Sequence, residues 1–343
     1  MRKRNSHVRK ETGAPDCLPT VRLAGEIDLW IEDAEIRHSP RTVANRRRGA
    51  AKFLWFLTAC GHSICGPAQV RAFLAYLVTG HTEPEGRWGM AGEPGKSWAT
   101  RPMHPNTRLF YYSQIRSLCQ WLVEQKAITV SPLTGQAPPT VRTSQPRPFT
   151  PEQVQKLFAA AQASRESERG RNVLILLLLF DTGIRASEMC GLLVGDVDFS
   201  ARRVTVHGKG GKDRAVPLGD ELRRRLWRSI AAEGLLPLEP LFVSARGKTA
   251  GEALTRGGLH RIIQRLGKAA GITSSRCSPH TLRHSFAVAL LKNGGNAFAL
   301  RLMLGHNSLS MTQKYVELAE ADLAEVHKTA SPADNLFGRR RKR

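Results

Sequence analysis

Six side chains with chemistry to offer lie in four short segments of the second half of the chain. In DTGIRASEMCGL an apolar helix is expected to end at Asp181-Thr182-Gly183, with Arg185 and Glu188 three residues apart at the start of the next helix. A guanidinium beside an apolar segment is costly to desolvate unless paired. Glu188 at i+3 holds it and leaves the other edge of the fork for an anion. The same two residues also read as a routine ion pair on a surface helix. In VTVHGKGGKDRAVPL, Lys209, Lys212 and Arg214 stand at or near a glycine-rich hairpin tip where the backbone approaches other molecules closely. By itself that tip reads equally as an exposed turn or a passive phosphate site.

In SPHTLRHSFAVALLKNGG, Ser278 is a natural helix cap with Pro279 at the first helical position, and His280 and Arg283 share one face. His280 and His284 have the i, i+4 spacing of a zinc helix. However, Thr281 stands where such a helix carries its glutamate, and no further ligand follows. Cys60 and Cys65 bracket His62 without a second ligand pair, so neither place favours a metal. In LGHNSLSMTQKY, Gly305 is a left-handed helix stop, His306 follows in the turn, and Ser310 with Gln313 forms a capping box for the helix that carries Tyr315. Alone, this segment reads as a helix–turn–helix connection with a half-buried tyrosine.

The elements that must position these groups fall into two regions. Residues 1–19 read as a flexible basic arm. Apolar residues at helical spacing then predict an all-α domain over 20–135, with Arg46, Arg47 and Arg48 on the polar side of its second helix. A stretch of Gly, Pro and charge from His81 to Pro105 interrupts it as a long loop. A Pro-, Ser- and Thr-rich linker, 136–149, precedes Thr150-Pro151-Glu152, which opens a new helix in capping style. The second domain, 150–330, is predicted to be helical with one β-hairpin, RRVTVHG to KDRAVPL, and 331–343 is a basic tail.

The balance of 52 Lys and Arg against 29 Asp and Glu leaves a formal +23 on 343 residues, which calls for a polyanionic partner. Nucleic acid fits. A membrane surface would call for a basic amphipathic anchor or a lipidation motif, and the sequence has neither. The longest apolar run, Val173 to Phe180, is far short of the roughly 20 residues that span a bilayer. The basic N-terminus has no apolar core after it, as a secretory signal would, and the six scattered cysteines suit a reducing compartment.

HTLRH, LGHNSLSMTQKY, GKGGKDRAVPL and the arginine of DTGIRASE resemble, in order and approximate spacing, the signature boxes of the tyrosine recombinases of the phage-integrase family. The resemblance covers residues 150–330, and more loosely the helical region from about residue 20. It implies a mainly α fold with a small β-sheet (α+β). It also implies a two-domain C-shaped DNA clamp, with a helical, SAM-like core-binding domain and a catalytic domain. The implied activity is site-specific recombination through a 3′-phosphotyrosyl intermediate, with no metal, ATP or other cofactor.

Physical needs match the residue types. Transferring a strand without ATP requires that the phosphodiester energy be kept in a covalent intermediate. A tyrosine hydroxyl, with an unperturbed pKa of about 10, needs opposing positive charge and a base to act as nucleophile at neutral pH. Two arginine forks, Arg185 and Arg283, suit the non-bridging oxygens of the attacked phosphate. By resemblance, Tyr315 is the nucleophile and Lys209 the general acid for the departing 5′-hydroxyl. His280 assists proton transfer, His306 hydrogen-bonds the phosphate, and Glu188 orients.

The implied partners are double-stranded DNA with an inverted-repeat core site and three further protomers, in a homotetramer or a hetero-tetramer with a related recombinase. The implied location is the bacterial cytoplasm, with no membrane. Arg41, Arg46, Arg47, Arg48, Arg108, Lys212 and Arg214 are candidates for phosphate contacts, which give affinity but not sequence choice. The segment VELAEADLAEVHKTASPADNL resembles the family's C-terminal helix, docked on a neighbour or packed in cis. The long loop and the tail favour a mobile-element or phage integrase over an Xer-type dimer resolvase. A type IB topoisomerase and a non-catalytic DNA-binding protein are the readings from other classes.

Overall fold

The computed structural model describes residues 17–81, 86–89, 100–141, 147–208, 211–245, 249–305, 312–313 and 315–316. Two compact units divide the chain, Met1–Thr143 and Ser144–Arg343.

In the first unit four helices, α1 (Thr20–Arg37), α2 (Pro40–Ala59), α3 (Pro67–Val78) and α4 (Pro105–Glu124), enclose a core that includes Trp30, Phe53, Phe73 and Ile115. The last three helices begin with proline, whose missing N–H costs nothing in a first turn. The region is not purely helical, as the periodicity had suggested. β1 (Leu18–Pro19) pairs antiparallel with β2 (Ile64–Cys65), and Leu18 is buried opposite Cys65. Residues 17–19 therefore belong to this unit and not to the basic arm.

The long loop also differs from expectation. Pro105 is already the first residue of α4, and Arg87–Gly89 forms a 3-10 turn whose Trp88 is buried with φ 65°. The Trp88 ring meets Trp55 edge-on at 5.5 Å, and buried Arg87 donates to the carbonyls of Thr79 and Arg101 at 2.8 and 2.7 Å. Trp88 stands in a Gly/Pro stretch that has no period to betray its burial.

The second unit holds α5 (Pro151–Gln162), α6 (Glu166–Thr182), α7 (Ala186–Cys190), α8 (Asp220–Glu233), α9 (Arg256–Ala269), α10 (Pro279–Lys292) and α11 (Ala297–Leu304). Thr150 caps α5 as expected, and Gln153 completes a capping box with it. The apolar run of α6 is buried along most of its length, the mark of a central helix. Between α7 and α8, β3 (Val197–Asp198), β4 (Arg203–Val206) and β5 (Arg214–Pro217) form an antiparallel sheet in that order. The hairpin β4–β5 is the one read from the sequence, and β3 is an addition. Val204, Val206 and Val216 face the core while Arg203 points to solvent, the alternation that fixes a strand's register. Among the described residues no helix is long and apolar enough to cross a membrane.

Candidate active site

Three helix ends converge on the site. α6 stops at Gly183 (φ 61°), and a Cβ there would lie 2.2 Å from Phe286 Cδ1, so only glycine lets α6 end against α10. α11 stops at Gly305, also left-handed (φ 61°). α10 begins at the Ser278 cap, where Ser278 Oγ accepts from the Thr281 N–H at 3.1 Å. Thr281, at the position a zinc helix would give to glutamate, is thus a buried member of the cap.

The last carbonyls of α11 have no partners within the helix. Three guanidinium groups supply them. Arg214 Nε donates to Met303 O at 2.7 Å, Arg283 Nη2 to Leu304 O at 2.8 Å, and Arg185 Nη2 to Gly305 O at 3.1 Å. Positive charge is favoured at this negative end of the helix dipole. Arg283 Nη1 also donates to Gly183 O at 2.7 Å, so one buried guanidinium ties together the ends of α6 and α11.

Among the described residues, the Glu188 carboxylate sits between Arg185 and Arg214. Glu188 accepts from Arg185 N–H at 2.7 Å and Arg185 Nη1 at 2.8 Å, and from Arg214 Nη1 and Nη2 at 2.9 and 2.8 Å. Burial alone would raise its pKa, but the Arg214 hydrogen bonds, the Arg185 N–H and the two positive charges hold it at about 2. The Arg185–Glu188 pair is thus as expected, while the edge of Arg185 reserved for an anion is taken by the Gly305 carbonyl. Each terminal nitrogen carries two hydrogens, and the Arg185 side chain is 41% exposed, so it remains reachable.

Tyr315 is buried against α10 and α11 with Phe286, Ala287, Leu300 and Leu304. Burial raises its hydroxyl pKa, and the charges of Arg283 and Arg185, with a hydrogen bond from Arg283, offset part of that rise. His284, given no role by sequence reasoning, has its ring 5.2 Å from that of Tyr315 and 4.3 Å, edge-on, from that of His280. Burial first, then His280 and Arg283, push its pKa down to about 4. His280 is exposed as a residue, yet the burial of part of its ring, followed by Arg283 and Arg185, also lowers its pKa.

Arg185, Glu188, His280, Arg283 and Tyr315 thus gather in one place. Lys209 and His306 lie outside the described residues, as do Ser310 of the expected capping box and the segment after Val316. Arg214, placed among the DNA contacts from its position near the hairpin tip, is turned inward onto Glu188. Its nearness to the tip, as the first residue of β5, was no guide, because strand residues alternate sides. Lys212 is exposed. In the first unit Arg41 is exposed, Arg46 lies over Trp30 at 4.7 Å, Arg47 pairs with Glu35, and Arg48 lies over Phe110 at 4.6 Å. Arg108 is half-buried, with its Nε lacking a hydrogen-bond partner.

Known proteins share this fold. The chain is similar to XerH site-specific recombinase bound to palindromic difH substrate, with a TM-score of 0.64 at 18% identity over 91% of this chain and 85% of that one. It is similar also to a lambda integrase dimer bound to a COC′ core site, with a TM-score of 0.63 at 20% identity over 85% of this chain and 76% of the other. These likenesses show the fold. In sequence, the phage integrase family matches residues 147–322. Tyrosine recombinase XerC of Agrobacterium fabrum is 35% identical over 324 residues, covering 90% of this chain and 95% of the relative. Tyrosine recombinase XerD of Oceanobacillus iheyensis is 34% identical over 249 residues, 71% of this chain and 79% of the relative. The chain belongs to the phage integrase family, as an Xer/integrase-type tyrosine recombinase.

Proposed function

We propose that the protein cleaves and rejoins DNA strands at a specific site, with Tyr315 as the nucleophile that becomes joined to a 3′-phosphate. The observation that carries this is the gathering of buried Tyr315 with Arg283, whose guanidinium ties the ends of α6 and α11, and with the Arg185–Glu188 pair. Three guanidinium groups against one carboxylate leave the site with excess positive charge, suited to a phosphodiester and to the charge that develops on it. Arg185 and Arg283 hold the non-bridging oxygens, and Glu188 orients Arg185. His280, held neutral, relays a proton. Lys209 protonates the departing 5′-oxygen and His306 hydrogen-bonds the phosphate, on the strength of their places in the family's motifs. Tyr315 enters as the neutral phenol and loses its proton only as the phosphate arrives, since burial opposes the phenolate.

The substrate is double-stranded DNA with an inverted-repeat core site, bound by a helical core-binding domain over 17–135 and a catalytic domain over 150–330. The linker 136–149 joins them. Two sites are brought together by a homotetramer, or a hetero-tetramer with a related recombinase, in the bacterial cytoplasm. The loop between α3 and α4, longer than a compact Xer-type protein needs, favours integration or excision of a mobile element. The Xer relatives make dimer resolution the second reading. Guanidinium groups supply the electrostatic work, so cleavage should persist in EDTA.

Nicked suicide duplexes cut from DNA flanking the protein's own gene test the proposal. An SDS-resistant adduct whose peptide carries Tyr315 on a 3′-phosphate is expected. An adduct through another residue, or wild-type cleavage by Tyr315→Phe, overturns it.

A further inference from the structure

The geometry points to His207 as a positioning residue: fixed between Asp213 and Asp196, it clips the neck of the β4–β5 hairpin and so sets the approach of the five-residue connection that carries Lys209. The inference rests on the general-acid reading of Lys209 above. His207 follows the last residue of β4, and Asp213 precedes the first residue of β5. The ladder's final pair is Val206 with Arg214, so His207 and Asp213 carry its register one step further. His207 Nδ1 is 2.9 Å from Asp213 Oδ2, and Nε2 is 3.1 Å from Asp196 Oδ1. An ionised carboxylate only accepts hydrogen bonds. A neutral imidazole would turn a lone pair toward one of these oxygens, whereas the imidazolium donates to both.

Both anchors are themselves held. Asp196, in the 3-10 turn Val194–Asp196, accepts from the Leu193 N–H at 2.8 Å through its other oxygen, and its side chain is 13% exposed. Asp213 adjoins Arg214, which is locked onto Glu188. The neck is narrow as well: a Cβ on Gly208 would lie 2.2 Å from the Lys212 carbonyl oxygen, so only glycine lets the two chains run this close. Among the described residues, Asp196 and Asp213 are the charged groups that face His207, and both raise its pKa, first through their hydrogen bonds. An exposed pair of this kind adds little to global stability. Its effect is on the neck, Gly208 and Lys212, from which the connection departs. The clip holds at and below the raised pKa and loosens as pH climbs through it.

The test uses the full-length protein, variants His207→Gln and Asp213→Asn, and two nicked duplexes of the crossover site. One carries the natural 5′-oxygen leaving group, and the other a 5′-bridging sulfur, which departs as a thiolate and needs no proton. On the oxygen substrate each variant should cleave on the order of 10-fold slower, a fraction of the 10²–10⁴ a general acid contributes. On the sulfur substrate the deficit should vanish. The alkaline fall in wild-type oxygen cleavage should also lose its His207-dependent part in His207→Gln. Equal slowing on both substrates means a merely structural defect and overturns the clip, as does no slowing at all. Lys209→Ala is the separate control. If sulfur fails to rescue it, the general-acid reading falls and the clip loses its purpose; if sulfur rescues it but not His207→Gln, only the clip fails.

Discussion

The Arg214 guanidinium grips both oxygens of Glu188, at 2.9 and 2.8 Å, in a parallel two-bond pair with little exposure on either side. Fork geometry of this kind is the strongest that arginine makes with a carboxylate. Removing one partner of a buried pair strands the other charge. Arg214→Gln should therefore lower unfolding stability by about 3 kcal/mol or more, measured by urea denaturation. The slope of log affinity for DNA against log salt should stay as in the wild type. Exposed Lys212→Ala should do the reverse, leaving stability alone and reducing that slope by about 1.

Tyr315→Phe keeps the ring that packs on Phe286 and Leu304 and removes only the hydroxyl. Covalent adduct should vanish from suicide duplexes while gel-shift affinity stays near the wild-type value. A cleavage product at wild-type rate would end the assignment of the nucleophile.

Arg185 and Arg283 should separate chemistry from structure. Loss of a preorganised donor raises the barrier by about 3 kcal/mol, so each alanine variant should slow single-turnover cleavage by two orders of magnitude or more. Arg283 is 3% exposed and ties the ends of α6 and α11, so Arg283→Ala should also unfold at clearly lower denaturant. The half-open Arg185 should affect rate more than stability.

His284 makes the fold sensitive to acid. Its pKa falls from 6.5 to about 4 on folding, so between those values the unfolded chain binds a proton that the folded chain refuses. Stability is full above the ordinary histidine pKa and declines as pH falls toward 4, by about 3 kcal/mol in total. Glu188, with its pKa lowered from 4.5 to about 2, loses its own contribution only below pH 4.5, so the upper part of the window belongs to histidine. His284→Phe should flatten the decline, and denaturant melts at a series of pH values would read the difference.

Much of this was legible in the chain. Local signals act over three or four residues, and they held where they were strong: the Thr150 cap, the helix end at Gly183, the left-handed stop at Gly305, the Arg185–Glu188 pair, and the β4–β5 hairpin. The motif order named the family because each box carries its chemistry within a few residues. The burial of Trp88 and the pairing of Leu18 with Cys65 had no such signal, since each depends on a partner tens of residues away.

The same division runs through the site. Which residues bear the chemistry, and the excess of positive charge around them, follow from the sequence. Which arginine meets which acceptor does not. Met303, Leu304 and Gly305 offer backbone carbonyls, a group every residue has, and only the crossing of α6, α10 and α11 turns them toward Arg214, Arg283 and Arg185. Tertiary structure alone decided that Arg214 faces inward and that the Tyr315 side chain is buried. The reason is that desolvation and long-range hydrogen bonding depend on distances in space, which spacing along a chain does not encode.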